Sequence, residues 1–104
     1  MALNYYAKEL KENAQLLASK GKGILAVDES TKTVGKRLAG IGVENTEENR
    51  KAYRGMLFTT KDLGKYISGA ILFEETLFQN HPDGEPMVKK LNDLGIIPGI
   101  KVDK

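Results

Sequence analysis

Gly23-Ile24-Leu25-Ala26-Val27 is a short apolar run that stops abruptly in Asp28-Glu29-Ser30. A run of that length, opened by a glycine and rich in aliphatic side chains, reads as a buried strand with a polar tip. The pattern returns twice. Gly69-Ala70-Ile71-Leu72-Phe73 ends in Glu74-Glu75-Thr76, and Ile96 to Val102 carries Lys101 and leads into Asp103. Buried runs separated by helical patterns are the signature of repeated βα units on a parallel sheet. The tips of such strands are where sites are built, which directs attention to Asp28, Glu74, Lys101 and Asp103.

The segments between the runs fit that plan. Tyr6, Leu10, Ala14 and Leu17 recur at helical spacing and predict an amphipathic helix ending near Gly21. A second helix is expected over Thr31 to Ile41, with Val34, Leu38 and Ile41 on one side. Thr46 has the character of an N-cap, followed by Glu47 and Glu48 where the helix dipole favours anions, and Tyr53, Met56 and Leu57 are the expected buried stripe. Asn80-His81-Pro82-Asp83-Gly84 is turn chemistry with His81 at the surface. Pro86 then suits the first position of a helix carrying Met87, Leu91 and Leu94 and closed by Gly95. The third run has no covering helix before Lys104. A complete (β/α)8 barrel takes about 250 residues, so the 104 residues read as its first three βα units, residues 1–104 forming the N-terminal portion of a single barrel domain in a chain that looks cut.

Composition narrows the chemistry. With no cysteine and one histidine, disulfides, thiol nucleophiles and His/Cys metal clusters are out. A net charge of +2, from 16 basic and 14 acidic residues interleaved along the chain, speaks against nucleic acid as a partner. No apolar run approaches the roughly 18 residues of a membrane helix. Glu9 and Glu12 are foreign to an acid-poor transit peptide, so a cytoplasmic protein is expected.

Strand alternation places Ile24, Ala26 and Asp28 on one face of the first strand and Lys101 and Asp103 on one face of the third. A lysine between two aspartates can polarise a carbonyl, move protons or grip an anion; the alternative is a polar network that plugs a barrel. Gly21-Lys22-Gly23 precedes its strand and lacks P-loop spacing, so it reads as a helix stop. Ser30-Thr31-Lys32-Thr33, ahead of Lys36 and Arg37, fits either phosphate held at a helix N-terminus or an ordinary capped helix. Glu74-Glu75 reads as strand-end solvation or a lattice of salt bridges rather than a catalytic pair.

Gly-Lys-Gly-Ile-Leu-Ala-Val-Asp-Glu-Ser-Thr at 21–31, Lys-Arg-Leu at 36–38, Glu-Asn-Thr-Glu-Glu-Asn-Arg at 44–50, Ile-Leu-Phe-Glu-Glu-Thr-Leu at 71–77 and Gly-Ile-Lys-Val-Asp-Lys at 99–104 closely resemble class I fructose-bisphosphate aldolase. The resemblance implies a (β/α)8 barrel, usually a homotetramer, that uses neither metal nor cofactor. It implies reversible cleavage of fructose 1,6-bisphosphate to dihydroxyacetone phosphate and glyceraldehyde 3-phosphate through a lysine Schiff base, serving glycolysis and gluconeogenesis. The expected partners are the sugar bisphosphate and the triose phosphates, with no nucleic acid and no membrane. By the same resemblance Asp28 is the catalytic aspartate of the first strand, and Lys101 both binds substrate and tunes the charge of the site. Arg37 contacts the bisphosphate, and Thr33 supplies a hydroxyl near a phosphate.

The Schiff-base lysine and the acid/base glutamate belong to later strands that these residues do not include. Residues 1–104 alone are therefore expected to be inactive, and a catalytically silent fragment or interaction module is the alternative. Where the family commonly has Gly after Asp-Glu-Ser-Thr, this chain has Lys32, which a positive φ would strain.

Overall fold

The computed structural model describes residues 2–103. In chain order it runs α1 (Ala2–Leu17), β1 (Gly23–Val27), α2 (Thr31–Gly40), α3 (Glu47–Phe58), α4 (Leu63–Tyr66), β2 (Ile67–Leu72), α5 (Glu74–Phe78), α6 (Met87–Asp93) and β3 (Ile97–Ile100). The three strands form one parallel sheet in the order β1-β2-β3, with Val27 paired to Leu72 and Leu72 to Ile100 at the tips. This is the expected arrangement of successive βα units.

The register gives the sheet two unlike faces. Val27, Ala70 and Leu72 pack with Phe58, Met87, Leu91 and Ile96 into the core on the helix side. Fully burying side chains of this size contributes about 1.5–3 kcal/mol each, so this layer dominates the stability. The opposite face carries Ile24, Ala26, Ile71 and Gly99, and continues past the strand ends into Asp28 and Lys101. There Ile24 is 53% exposed, and beyond β3 Val102 is 87% exposed. The first strand is thus buried at Val27 and open at Ile24 and Ala26, rather than buried throughout as its composition predicts. Ile71 and Phe73 are half-buried.

Local signals explain most element boundaries. Ser30 caps α2 by accepting the Thr33 N–H at 3.3 Å, and Thr46 caps α3 by accepting the Asn49 N–H at 3.1 Å. Gly21 and Gly95 take positive φ at the ends of the helical segments that precede β1 and β3. Lys32 lies in the first turn of α2, and Asp62 is the one non-glycine with positive φ among the described residues. The strain anticipated at Lys32 is absent because an ordinary helical turn accepts any side chain with a β-carbon.

Two helices are oriented differently from expectation. In α3 the buried residues are Arg54, Gly55 and Phe58, while Met56 is exposed. The helix is rotated by about one position, since Arg54 has an internal partner that hydrophobic periodicity does not register. In α1 Tyr6 and Leu10 are exposed. Its C-terminal end is what docks: Ser68 donates to the Leu17 carbonyl at 2.7 Å, and a Cβ on Gly69 would stand 2.4 Å from Leu17 Cδ2. Only glycine permits that approach. His81, expected at the surface, is half-buried beside Gly55.

Candidate active site at the strand tips

Asp28 follows β1 and Lys101 follows β3, two strand spacings apart, or about 9–10 Å of sheet. The lysine stem spans that gap. Lys101 Nζ lies 3.6 Å from Asp28 Oδ2 and 2.7 Å from Asp103 Oδ1. The Lys101 backbone N–H donates to the Leu72 carbonyl at 2.9 Å, continuing the ladder one residue beyond β3 and anchoring the base of the side chain to the tip of β2. Alternation alone predicts this grouping, and the structure brings all three residues together.

The electrostatics keep the lysine charged. The hydrogen bond to Asp103, aided by its charge and that of Asp28, holds the Lys101 ammonium above its ordinary value against partial desolvation. Asp103 is correspondingly held below the usual carboxylate range. The Lys101 side chain is 27% exposed, so its charge remains accessible to a third party. Lys101 and Asp103 line a hollow of about 340 Å³ together with Ser30, Phe73 and Glu74. A cation at the mouth of a hollow can hold an anionic group, while the aspartate beside it can orient a hydroxyl or accept a proton.

Arg37 on α2 donates through Nε to Glu29 Oε2 at 2.5 Å, and this hydrogen bond is the main cause that raises its guanidinium pKa above the ordinary arginine value. No hydrogen bond among the described residues engages its two terminal nitrogens, which leaves donors suited to phosphate. The Thr33 hydroxyl sits 3.1 Å from Ser30 Oγ in the first turn of the same helix. That turn has an ordinary capped geometry, satisfied by Ser30 itself. Arg37 and Thr33 therefore belong to the β1 side of the rim, and Lys101 to the β3 side. Among the described residues no three His, Asp or Glu side chains are placed to hold a metal ion.

A second charged group lies directly behind the tips, and its arginine members are not named by the sequence. Glu75 on α5 accepts from Arg50 Nε at 2.9 Å, Arg50 Nη2 at 2.8 Å and Arg54 Nη1 at 2.8 Å. Of the two readings offered for Glu74-Glu75, strand-end solvation or a lattice of salt bridges, Glu75 follows the second. The Arg50 hydrogen bond is the largest cause that pulls the Glu75 carboxyl below its ordinary value, whereas burial pushes the Arg54 guanidinium down. The available signal was an arginine pair at i, i+4 in a helix preceding an acid-tipped strand.

With this geometry in view, similarity becomes informative. Residues 9–104 match the family profile described as "Glycolytic: Fructose-bisphosphate aldolase class-I". The chain belongs to the class I fructose-bisphosphate aldolases. It is 68% identical over 98 residues to fructose-bisphosphate aldolase 1 of Toxoplasma gondii, covering 94% of this chain and 27% of that protein. It is 64% identical over 98 residues to aldolase 2 of Plasmodium berghei, again covering 94% of this chain and 27% of that protein. A crystal structure of the Plasmodium falciparum aldolase, in a ternary complex with TRAP and a small-molecule inhibitor, superposes with a TM-score of 0.91 at 62% identity, covering 96% of this chain and 29% of that one. The aldolase chain thus spans about a quarter of the length of these relatives, and its open three-stranded sheet corresponds to part of their fold.

Proposed function

We propose that residues 1–104 supply the first three βα units of a class I aldolase that cleaves fructose 1,6-bisphosphate reversibly into two triose phosphates. The observation that carries this reading is the contact of Lys101 with Asp28 across β2, at the strand ends where barrel enzymes place their chemistry. Asp28 orients substrate hydroxyls and handles protons. Lys101 and Arg37 hold anionic groups from opposite sides of the rim, and Thr33 adds a hydroxyl near the Arg37 side. The imine-forming lysine and the acid/base glutamate come from strands beyond these residues, and a homotetramer is part of the same reading. So is a cytoplasmic site of action, which rests on the acidic Glu9 and Glu12 and is checked by a fluorescent fusion of the full-length protein.

The test is a graft in which residues 1–104 replace the matching part of the Toxoplasma gondii aldolase. Cleavage of fructose bisphosphate and a borohydride-trapped adduct are the expected results. A folded graft with neither overturns the reading. Residues 1–104 expressed alone are expected to give no cleavage and no adduct; turnover by that species would show that the later strands are dispensable.

A further inference from the structure

Arg54 is the one charged side chain among the described residues that is fully buried, at 1% exposed. It stands behind the candidate site rather than in it. Its Nη2 donates to the Glu29 carbonyl at 2.8 Å, its Nη1 donates to Glu75 Oε1 at 2.8 Å, and its Cζ lies 5.7 Å from the centre of the Phe73 ring. All three partners flank strand ends: Glu29 directly follows Asp28, Phe73 directly follows β2, and Glu75 is in the first turn of α5.

The pairing of β1 with β2 stops at Val27 and Leu72. Past that point no ladder bond between them fixes the separation of the two tips, and the forked guanidinium of Arg54 crosses it instead. Asp28 is referenced to the β1 tip through its neighbour Glu29. Lys101 is referenced to the β2 tip through its N–H bond to the Leu72 carbonyl. The distance between the two functional groups therefore depends on the one side chain that grips both tips. A charged, planar donor with a rigid fork suits this task, because it binds a carbonyl and a carboxylate at once in fixed relative orientation.

We propose that Arg54 is a positioning residue, clamping the β1 and β2 tips so that the Asp28 carboxylate stays in register with the Lys101 ammonium. The proposal rests on the aldolase reading above, since that reading gives the Asp28–Lys101 pair its work. It differs from a purely structural salt bridge in one consequence: the effect of Arg54 on turnover must pass through Asp28.

That consequence is measured by a double-substitution cycle in the full-length graft. Arg54→Lys keeps the charge and loses the fork. It is expected to lower kcat about tenfold with KM changed by less than about twofold, as misplacement of a reacting group does. In an Asp28→Asn background the same Arg54→Lys is expected to change kcat by less than about twofold, because the group it positions has already lost its charge. Losses that simply multiply overturn the proposal, as does an unchanged kcat in a folded Arg54→Lys protein. If Arg54→Lys fails to fold, Glu75→Gln, which loosens the anchor of the same fork, enters the cycle under the same criterion. The unsubstituted graft is assayed first. A folded but inactive parent sinks the aldolase reading and this inference with it; an active parent with multiplicative losses sinks the positioning role alone.

Discussion

Two charged clusters lie within a few residues of the same strand tips, and they are built on opposite principles. Lys101 meets Asp28 at 3.6 Å and Asp103 at 2.7 Å, on the open face of the sheet and partly in water. Glu75, by contrast, receives three hydrogen bonds from two arginines, and Arg54 is almost entirely enclosed. Solvent screens exposed pairs of the first kind and leaves them little weight in stability, whereas breaking a buried pair by removing one partner costs about 3–5 kcal/mol. The first cluster contributes little to the fold and keeps its charges available to a ligand. The second is saturated and serves the scaffold. Proximity to a site is thus a poor guide to which charges perform chemistry; unused hydrogen-bonding capacity is the better one.

That contrast is open to attack at both ends, in the full-length graft. Asp28→Ala carries the largest expected effect, a fall in kcat of about 10²–10⁴-fold with the thermal midpoint nearly unchanged; a kinetically normal protein would remove Asp28 from the site. Glu75→Ala is expected to act first on the fold, with a stability loss of about 3 kcal/mol in denaturant titration, since it strands the Arg54 charge inside the protein, and to lower kcat only as far as the loosened Arg54 clamp does.

The same carboxylate sets an acid limit. Because its folded-state pKa is depressed below 4.5, its stabilisation is fully present above that value and is lost as pH falls through the folded pKa. Unfolding free energies of Glu75→Gln measured from pH 5 downwards should therefore decline less steeply than those of the parent. An identical slope would mean that Glu75 is not the group titrating.

Arg37→Ala and Lys101→Ala are expected to raise KM about tenfold for the bisphosphate and less for a substrate lacking one phosphate. Equal increases would separate these cations from phosphate recognition. The smallest effect belongs to Lys32→Gly, which is expected to lower stability by up to about 1 kcal/mol, because the position is helical and glycine is the poorer helix former. A stabilised Lys32→Gly protein would restore the idea of strain at this position.

Legibility in the sequence followed physical range. The first strand, Gly23–Val27, and the company of Asp28 with Lys101 were readable because period-two alternation and parallel pairing leave few other outcomes. The short helix Glu74–Phe78 was not readable, since five residues are too few to display a helical period. The phase of α3 is not legible from Tyr53, Met56 and Leu57, because apolar spacing does not register a buried arginine; the burial of Arg54 depends on Glu75, which is 21 residues distant in sequence. The outward position of Tyr6 and Leu10 was equally hidden, as the apolar pattern of α1 describes what a helix can cover and not which neighbours are present.

The seat of Leu17 on Gly69 gives the polar face a floor. Along β2, Leu72 lies three steps beyond Gly69, about 10 Å at the rise of a strand. The carboxylate and ammonium thus stand roughly one small molecule's length above an aliphatic base formed by the end of α1. That arrangement gives the face a direction. Apolar surface lies at the bottom, charge lies at the lip, and a molecule carrying phosphates finds its counter-charges at the lip. Any larger residue at Gly69 would displace the Leu17 methyl, 2.4 Å from where its Cβ would stand, and rebuild the floor without altering a single charged group.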